Sequence, residues 1–294
     1  MTEPTLPHGI EYFETPLPGI RVDTAAASAV LYFNGAQLAE WTPSGQQPVL
    51  WLSPASRFEA GQAIRGGVPL VWPWFGAGAD DRHRPQHGFA RNIAWRLLTA
   101  RVDDSGRATL RFAPGDEWQQ AANRAGVPGD LGIEYHVSVG ATLLLQLTVT
   151  AGAQRFGFED GLHTYLTVGD IRRVRIEGLA GAVFTDRLTA AHHTQAGPVT
   201  FAAETDRIYG SVAATQIIDP VLHRTITVEK AGSAQTVVWN PWRDKAARMA
   251  DFRADQWPRM VCVEAVNVRD QAIRLRPHQR HLLSQTIRIG SLPG

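Results

Sequence analysis

Two residues far apart in the chain, His163 and Glu264, could work together as a proton donor and a proton acceptor. The run Val261–Glu264 alternates like a strand, so its valines face one way while Cys262 and Glu264 face the other. An extended backbone at His163 would put its ring on the same face as Tyr165. The pKa values of glutamate and histidine can be tuned toward neutrality by their surroundings. Such a pair suits a reaction at the anomeric carbon of a sugar, where one group takes the O1 proton and the other protonates the ring oxygen.

Other chemistry for these residues has less support. A glutamate and a histidine can also bind a metal ion, but the chain has no His-Glu-x-x-His motif, and the adjacent His192 and His193 would point to opposite faces of a strand. No activating partner for Cys262 is evident, so a small buried thiol explains this residue better than a nucleophile does. The sequence therefore predicts an enzyme that uses neither a metal nor another cofactor.

The stretch from Arg65 to Arg91 is rich in residues that line binding sites. The pair Gly66-Gly67 would let the backbone approach a ligand closely. Three aromatic side chains offer flat faces that either pack on the C–H groups of a sugar or belong to the core: Trp72, Trp74 and Phe75. Further along, residues 76–84 form a charged loop that either extends a binding pocket or is a solvated turn, and we favour the turn.

The charge balance limits the possible partners. The chain has 29 Lys and Arg against 28 Asp and Glu, and 27 of these cations are arginine. A near-neutral chain lacks the broad cationic footprint of a nucleic-acid-binding protein. The single cysteine, an N-terminus without a signal sequence and the lack of a long apolar run predict a cytoplasmic protein without a membrane segment.

Short alternating segments separated by glycine and proline predict an all-β protein. In Ala141–Thr150, the apolar residues at 143, 145, 147 and 149 share one face. Similar alternation occurs in four other segments: Ala108–Phe112, Thr225–Val228, Gln235–Trp239 and His281–Ile289. The best candidate for a helix is Asp116–Arg124. With no visible linker or repeat, we expect residues 1–294 to form one domain, a large antiparallel β-sandwich.

Six ordered motifs give the chain a resemblance to the aldose 1-epimerase superfamily, and more closely to its glucose-6-phosphate 1-epimerase (hexose-6-phosphate mutarotase) branch. They run from about residue 50 to 270 and are Ile64–Pro69, Pro85–Asn92, Leu162–Tyr165, Glu204–Arg207, Val238–Trp242 and Cys262–Glu264. The resemblance implies the galactose-mutarotase-like supersandwich, with the sugar on a concave face.

The resemblance also implies roles for individual residues. Glu264 would be the general base at O1 and His163 the general acid at the ring oxygen. His87 would contact the sugar or assist the proton transfer, and Asp206 would hold sugar hydroxyls. Three residues would contact the substrate in the phosphate-specific branch: Arg65, Gln86 and Arg91. A dianionic phosphate favours forked arginine donors, so Arg65 and Arg91 are predicted to form a phosphate clamp.

The expected protein is thus a monomeric enzyme acting on a hexose 6-phosphate. Two rivals remain open at this point: an aldose 1-epimerase for neutral hexoses, and a non-catalytic protein that binds sugar phosphates. A glycosidase or lyase has less support, because no second carboxylate beyond Asp206 has a comparable claim to a paired role.

Overall fold

A computed structural model describes residues 4–78 and 81–292 of the chain. Within these residues almost all of the regular secondary structure is β-strand. They are β1 (Ile10–Phe13), β2 (Gly19–Asp23), β3 (Ala27–Tyr32), β4 (Gln37–Pro43), β5 (Leu70–Val71), β6 (Trp95–Val102), β7 (Ala108–Pro114), β8 (Gly132–Val139), β9 (Thr142–Thr150), β10 (Phe156–Phe158), β11 (Asp160–Leu162), β12 (Tyr165–Thr167), β13 (Arg175–Glu177), β14 (Val183–Asp186), β15 (His192–Thr194), β16 (Thr205–Gly210), β17 (Thr215–Asp219), β18 (Arg224–Ala231), β19 (Gln235–Asn240), β20 (Met260–Asn267), β21 (Ile273–Leu275) and β22 (Arg280–Ser291).

Helices are few and short. The α-helices are α1 (Trp118–Arg124) and α2 (Trp242–Ala246), and single 3-10 turns lie at Ala90–Asn92, Ile171–Arg173, Trp257–Arg259 and Arg269–Gln271. The predicted helix is therefore confirmed as α1, beginning two residues later than expected. Among the described residues, no helix has the length and apolar character needed to cross a bilayer.

Two eight-stranded antiparallel sheets form the body of the fold. The back sheet has the order β13-β17-β18-β22-β9-β8-β7-β6. The front sheet has the order β15-β14-β16-β19-β20-β11-β5, and β12 also pairs with β20. A four-stranded sheet (β1 to β4) and a two-strand ribbon (β10 with β21) complete the topology. The prediction of an all-β antiparallel sandwich is confirmed.

The main core lies between the front and back sheets. The inward residues of β9, namely Leu143, Leu145, Leu147 and Val149, are fully buried and belong to one apolar cluster with residues of the front sheet. From β20 that cluster takes Val261, Val263 and Ala265. The opposite face of β20 contributes Met260, Cys262 and Val266 to a second, smaller apolar cluster. All of β20 is therefore buried, with apolar packing on both of its faces.

Two glycine motifs shape the front of the molecule by bringing backbones together. Gly66 and Gly67 have φ of 121° and 59°, and a Cβ at either would lie within 2.4 Å of a neighbouring backbone carbonyl oxygen, that of Trp51 or Leu38. These glycines therefore let two segments of backbone pack closely together. The close approach that the sequence predicted is made to neighbouring backbone and not to a ligand. Gly88, with φ of 77°, passes equally close to the Trp72 carbonyl.

Candidate active site

The register of the front sheet places His163 beside Glu264. Strand β11 ends at Leu162 and β12 begins at Tyr165, and both strands pair with β20. Leu162 lies opposite Ala265, so the next residue, His163, reaches Glu264. The Nδ1 atom of His163 is 3.5 Å from Oε1 of Glu264, and both side chains are buried, exposed by 8% and 1%. The two residues expected to transfer protons therefore meet on one face of the sheet.

Neighbouring groups fix the orientation of the His163 ring. The ring stacks on Tyr165, with centroids 4.8 Å apart and planes 8° from parallel. Thr164 points the other way and donates its hydroxyl hydrogen to Gln285, a fully buried residue of the back sheet. Gln285 also donates to the Val263 carbonyl at 3.1 Å. Gln285 of the back sheet thus anchors the short link between β11 and β12. His163 lies in this link and not in a strand.

Burial moves both partners of the pair toward their neutral forms. Desolvation, followed by the nearby charge of Asp206, raises the pKa of Glu264 well above its ordinary value, although Arg187 and Arg91 oppose this. Desolvation, followed by the charges of Arg91 and Arg65, lowers the pKa of His163 well below its ordinary value. Nδ1 of His163 and Oε2 of Glu264 have no hydrogen-bond partner among the described residues. The pair is thus buried but incompletely paired, as expected of groups that act on a ligand.

His87 contacts the His163 ring in a T-shaped arrangement, with the two centroids 5.4 Å apart. Its φ is 63°, and its Nδ1 accepts a hydrogen bond from the Gly76 N–H at 3.3 Å. This bond leaves the proton of the neutral ring on Nε2. Desolvation and the charge of Arg91 lower the pKa of His87 well below its ordinary value. His87 is therefore placed as a neutral hydrogen-bonding group.

The two arginines expected to contact a phosphate differ in their pairing. Arg65 donates from Nε to Asp251 at 3.1 Å and from Nη1 to the Tyr165 hydroxyl at 3.0 Å, so its fork is already engaged. These two partners raise its pKa although desolvation acts in the opposite direction. Arg91 donates from Nη2 to the Gln86 carbonyl at 2.7 Å, and its buried Nε has no partner among the described residues. Burial, followed by the charge of Arg65, lowers the pKa of Arg91 to about 10, so it remains charged at neutral pH.

Asp206 occupies the side of the site formed by β16 and is nearly buried. Desolvation raises its pKa, while Arg187 and Lys245 act in the opposite direction. Nη1 of Arg187 is 3.5 Å from Oδ1 of Asp206, and the guanidinium lies 5.1 Å from the centre of the Phe75 ring. Lys245 pairs with Glu204 at 2.8 Å.

These residues enclose one cavity of about 280 Å³ in front of β20. It is lined by Arg65, Phe75, Gln86, His87, His163, Tyr165, Arg187, Asp206, Val237, Trp239, Lys245, Met249 and Glu264. Pockets for small molecules measure about 300–1,000 Å³, so this cavity suits a single monosaccharide. Of the seven predicted site residues, six line it, and Arg91 lies behind Gln86 through the hydrogen bond to its carbonyl. A larger cavity of about 800 Å³, lined in part by Arg155, Arg269 and Arg274, contains neither His163 nor Glu264.

The three candidate aromatic residues separate between the core and the site. Trp72 and Trp74 belong to the main core, whereas Phe75 lines the cavity. Glu159 holds Phe75 in place, because its Oε2 accepts the Phe75 N–H at 2.7 Å. The aromatic residues that line the cavity are Phe75, Tyr165 and Trp239, and the Tyr165 ring already stacks on His163 and Trp51.

Among the described residues, one group of side chains could hold a metal ion. A nitrogen of His163, Sγ of Cys262 and a carboxylate oxygen of Glu264 lie within 4.8 Å of one another, and all three residues are buried. Cys262 is beneath the cavity floor rather than on its surface. Burial, followed by the charge of Glu264, raises the pKa of the Cys262 thiol well above its ordinary value, which does not favour a nucleophile.

A model of the family described as aldose 1-epimerase matches residues 19–288. The chain belongs to the aldose 1-epimerase family. A relative from Salmonella typhimurium is 37% identical over 274 residues, covering 91% of this chain and 89% of the relative, and one from Escherichia coli is 35% identical over 274 residues, covering 92% and 90%. Both carry the name "Putative glucose-6-phosphate 1-epimerase".

A crystal structure from Salmonella typhimurium, described as "a putative mutarotase", superposes on the fold with a TM-score of 0.89. It is 32% identical in sequence, and the match covers 99% of this chain and 96% of that one. The fold is thus the galactose-mutarotase-like sandwich, and this member of the aldose 1-epimerase family is an isomerase of the mutarotase type.

Sequence reasoning missed several residues of this epimerase site. Arg187 follows β14 in a stretch without a distinctive motif, and only its proximity to Asp206 in space draws attention to it. Asp251 and Lys245 follow the Val238–Trp242 motif without belonging to it, and their partners, Arg65 and Glu204, are distant in sequence. Of the charged loop at 76–84, Asp80 lies outside the described residues. Arg82, His83 and Arg84 are exposed and do not line the 280 Å³ cavity, as expected for a turn.

Proposed function

We propose that this epimerase interconverts the α and β anomers of hexose 6-phosphates, with glucose 6-phosphate as the first candidate substrate. In this proposal Glu264 is the general base at O1 and His163 the general acid at the ring oxygen. The observation that carries the proposal is the buried contact of 3.5 Å between these two side chains at the floor of a cavity the size of a monosaccharide.

The reaction needs one proton to leave O1 and one to reach the ring oxygen. With Glu264 ionised and His163 protonated, Glu264 takes the O1 proton while His163 protonates the ring oxygen, and the bond from C1 to the ring oxygen breaks. The C1–C2 bond of the open aldehyde then rotates and presents the other face of the carbonyl. The same two groups act in reverse and close the ring to the other anomer.

The opposite pKa shifts of the two groups fit this cycle. A protonated Glu264 beside a neutral His163 holds the same number of protons as the ion pair. Ring opening converts the ion-pair form into the neutral form, and ring closure restores it. Burial makes the neutral form accessible, because it weakens the strong preference for the charged form that each group has in water.

The case for a phosphate rests on unbalanced positive charge. Three cations that line the cavity already have carboxylate partners: Arg65 with Asp251, Arg187 with Asp206, and Lys245 with Glu204. Among the described residues, no carboxylate lies within salt-bridge distance of Arg91. A partly buried cation without a counter-ion is unfavourable, and a phosphate dianion near Arg65 and Arg91 would supply the missing charge. A neutral hexose would leave Arg91 uncompensated.

The deciding experiment measures anomer exchange by NMR on the 6-phosphates of glucose, galactose and mannose, with the free sugars beside them. We expect kcat/KM for at least one hexose 6-phosphate to exceed that for its free sugar by 10-fold or more, since hydrogen bonds to a charged group contribute about 1.5–3 kcal/mol. Equal rates on glucose and on its 6-phosphate would indicate an epimerase for neutral aldoses. Saturable binding without exchange would indicate a protein that only binds the sugar phosphate.

A further inference from the structure

The pair that is proposed to move protons has a third neighbour with no part in that reaction. Cys262 and Glu264 are two residues apart on β20 and so share a face, and Tyr165, which stacks on His163, lies opposite Cys262. This register brings a thiol, a carboxylate and an imidazole around one buried point, with their donor atoms within 4.8 Å of one another.

The donor atoms at this point are suited to a soft divalent metal ion. Thiolate, imidazole and carboxylate are the ligands that Zn²⁺ takes in proteins. Nδ1 of His163 and Oε2 of Glu264 are buried without a hydrogen-bond partner among the described residues, so both are available. Zinc bonds of about 2.0–2.3 Å place tetrahedral donor atoms roughly 3.5 Å apart, so the three groups need to close by about 1 Å.

Charge also favours an ion at this point. Zn²⁺ would replace one proton on the thiol of Cys262 and one on the carboxyl of Glu264, and both protons would leave to water. The resulting complex of Zn²⁺ with a thiolate, a carboxylate and a neutral imidazole has no net charge, and a neutral complex suits a buried site. His163 and Glu264 both line the cavity, which gives the ion a route to Cys262 beneath them.

We propose that His163, Cys262 and Glu264 form a latent site for Zn²⁺ or a similar thiophilic divalent ion, and that an ion bound there blocks the epimerase. Blocking follows because the ion occupies both groups that are proposed to transfer protons. The inhibitory part of the proposal rests on the proposed function, whereas the binding part does not.

Binding is tested without any sugar. Titration of the full chain with Co²⁺ should produce the near-ultraviolet charge-transfer absorption of a cobalt thiolate, with a stoichiometry of one ion per chain, and Zn²⁺ should displace it. C262S should lose this absorption, and E264Q should weaken binding by at least 10-fold. The double variant H192A/H193A is the matched control, because it removes two exposed histidines of β15 that could bind metal elsewhere. It should bind like wild type.

Inhibition is tested separately on anomer exchange. Zn²⁺ should inhibit the wild type reversibly, with recovery on addition of a chelator, and C262A should need at least 10-fold more Zn²⁺ for half inhibition. No thiolate absorption in the wild type, or an undiminished signal in C262S, would overturn the site. Binding without inhibition would overturn the blocking role and leave the proposed epimerase activity in place. A chain with no exchange activity that still binds Co²⁺ through Cys262 would overturn the proposed function alone.

Discussion

The two faces of β20 differ although both are buried. One face presents Val261, Val263 and Ala265 to the core between the sheets, where apolar atoms surround them. The other presents Glu264 to the floor of the cavity, with Cys262 beneath it, and the carboxyl group of Glu264 is 1% exposed and has an unpaired oxygen. Residues next to each other in sequence thus have opposite environments.

This difference separates stability from chemistry along one strand. Apolar side chains on the core face stabilise the fold through burial of surface. A buried carboxyl on the cavity face costs stability, because water is lost and no full set of hydrogen bonds replaces it. Substitutions on the core face should therefore lower stability and leave activity intact. Substitutions on the cavity face should lower activity without lowering stability.

The largest effect is expected for Glu264→Gln. The amide keeps the size of the side chain but cannot accept the O1 proton, so kcat for anomer exchange should fall by about 10²–10⁴-fold. The melting temperature should stay the same or rise, since the substitution removes an ionisable group from a buried position. Anomer-exchange NMR and thermal unfolding on the same sample measure both quantities. Full activity in a folded Glu264→Gln protein would remove this residue from the proposed mechanism.

A smaller effect, selective for the substrate, is expected for Arg91→Ala. Loss of a charged donor should lower kcat/KM for glucose 6-phosphate by about 10–100-fold while that for glucose changes little. Arg172→Ala is the matched control, because Arg172 is exposed and pairs with Asp170 away from the cavity. Equal losses on both sugars would mean that Arg91 serves the structure of the site rather than a phosphate.

On the core face, Val263→Ala should affect folding and leave chemistry intact. Removal of two buried carbon atoms should lower the free energy of unfolding by roughly 2 kcal/mol, from lost burial and a small cavity. Turnover per folded molecule should remain near wild type. Urea unfolding together with NMR exchange rates tests this. A large loss of kcat with unchanged stability would show that the two faces are not separable.

The smallest effect, when taken per pH unit, concerns the pH dependence of stability. The folded pKa of Glu264 is raised, so its stabilising contribution is present below the unfolded value of about 4.3 and is lost as pH rises toward the folded pKa. Glu264→Gln has no such loss. Its stability relative to wild type should therefore increase with pH above about 4.3, by at most about 1.4 kcal/mol per pH unit. A constant difference between the two proteins from pH 4.5 to 8 would contradict the raised pKa.

Much of this architecture could be predicted because its causes are local in sequence. Alternation of apolar residues predicted β9, β19 and β22, and the two faces of β20 followed from four residues. The shared face of His163 and Tyr165 also followed from extended geometry, although His163 lies in a link between strands. The roles of Glu264 and His163 came from resemblance and remain predictions.

The remaining features depend on contacts between distant parts of the chain. The Arg65–Asp251 pair joins residues that no periodicity relates, so the sequence did not indicate that the fork of Arg65 is already engaged. Gly66 and Gly67 signalled a close approach, but the sequence could not identify the approaching group as the neighbouring backbone. Arg187 stands in no motif and reaches the site only because β14 pairs with β16.

The positive charges around His163 have a consequence for the timing of proton transfer. Arg91 and Arg65 both lower the pKa of His163 in the empty site. An anion that balances these charges reverses that influence, so His163 takes up its proton more readily once a phosphate is in place. In the proposed reaction, the phosphate of the substrate would thus promote protonation of His163, the proposed acid at the ring oxygen. Inorganic phosphate added together with unphosphorylated glucose would supply the anion and the sugar as separate molecules. It should therefore promote the protonation of His163 in the same way.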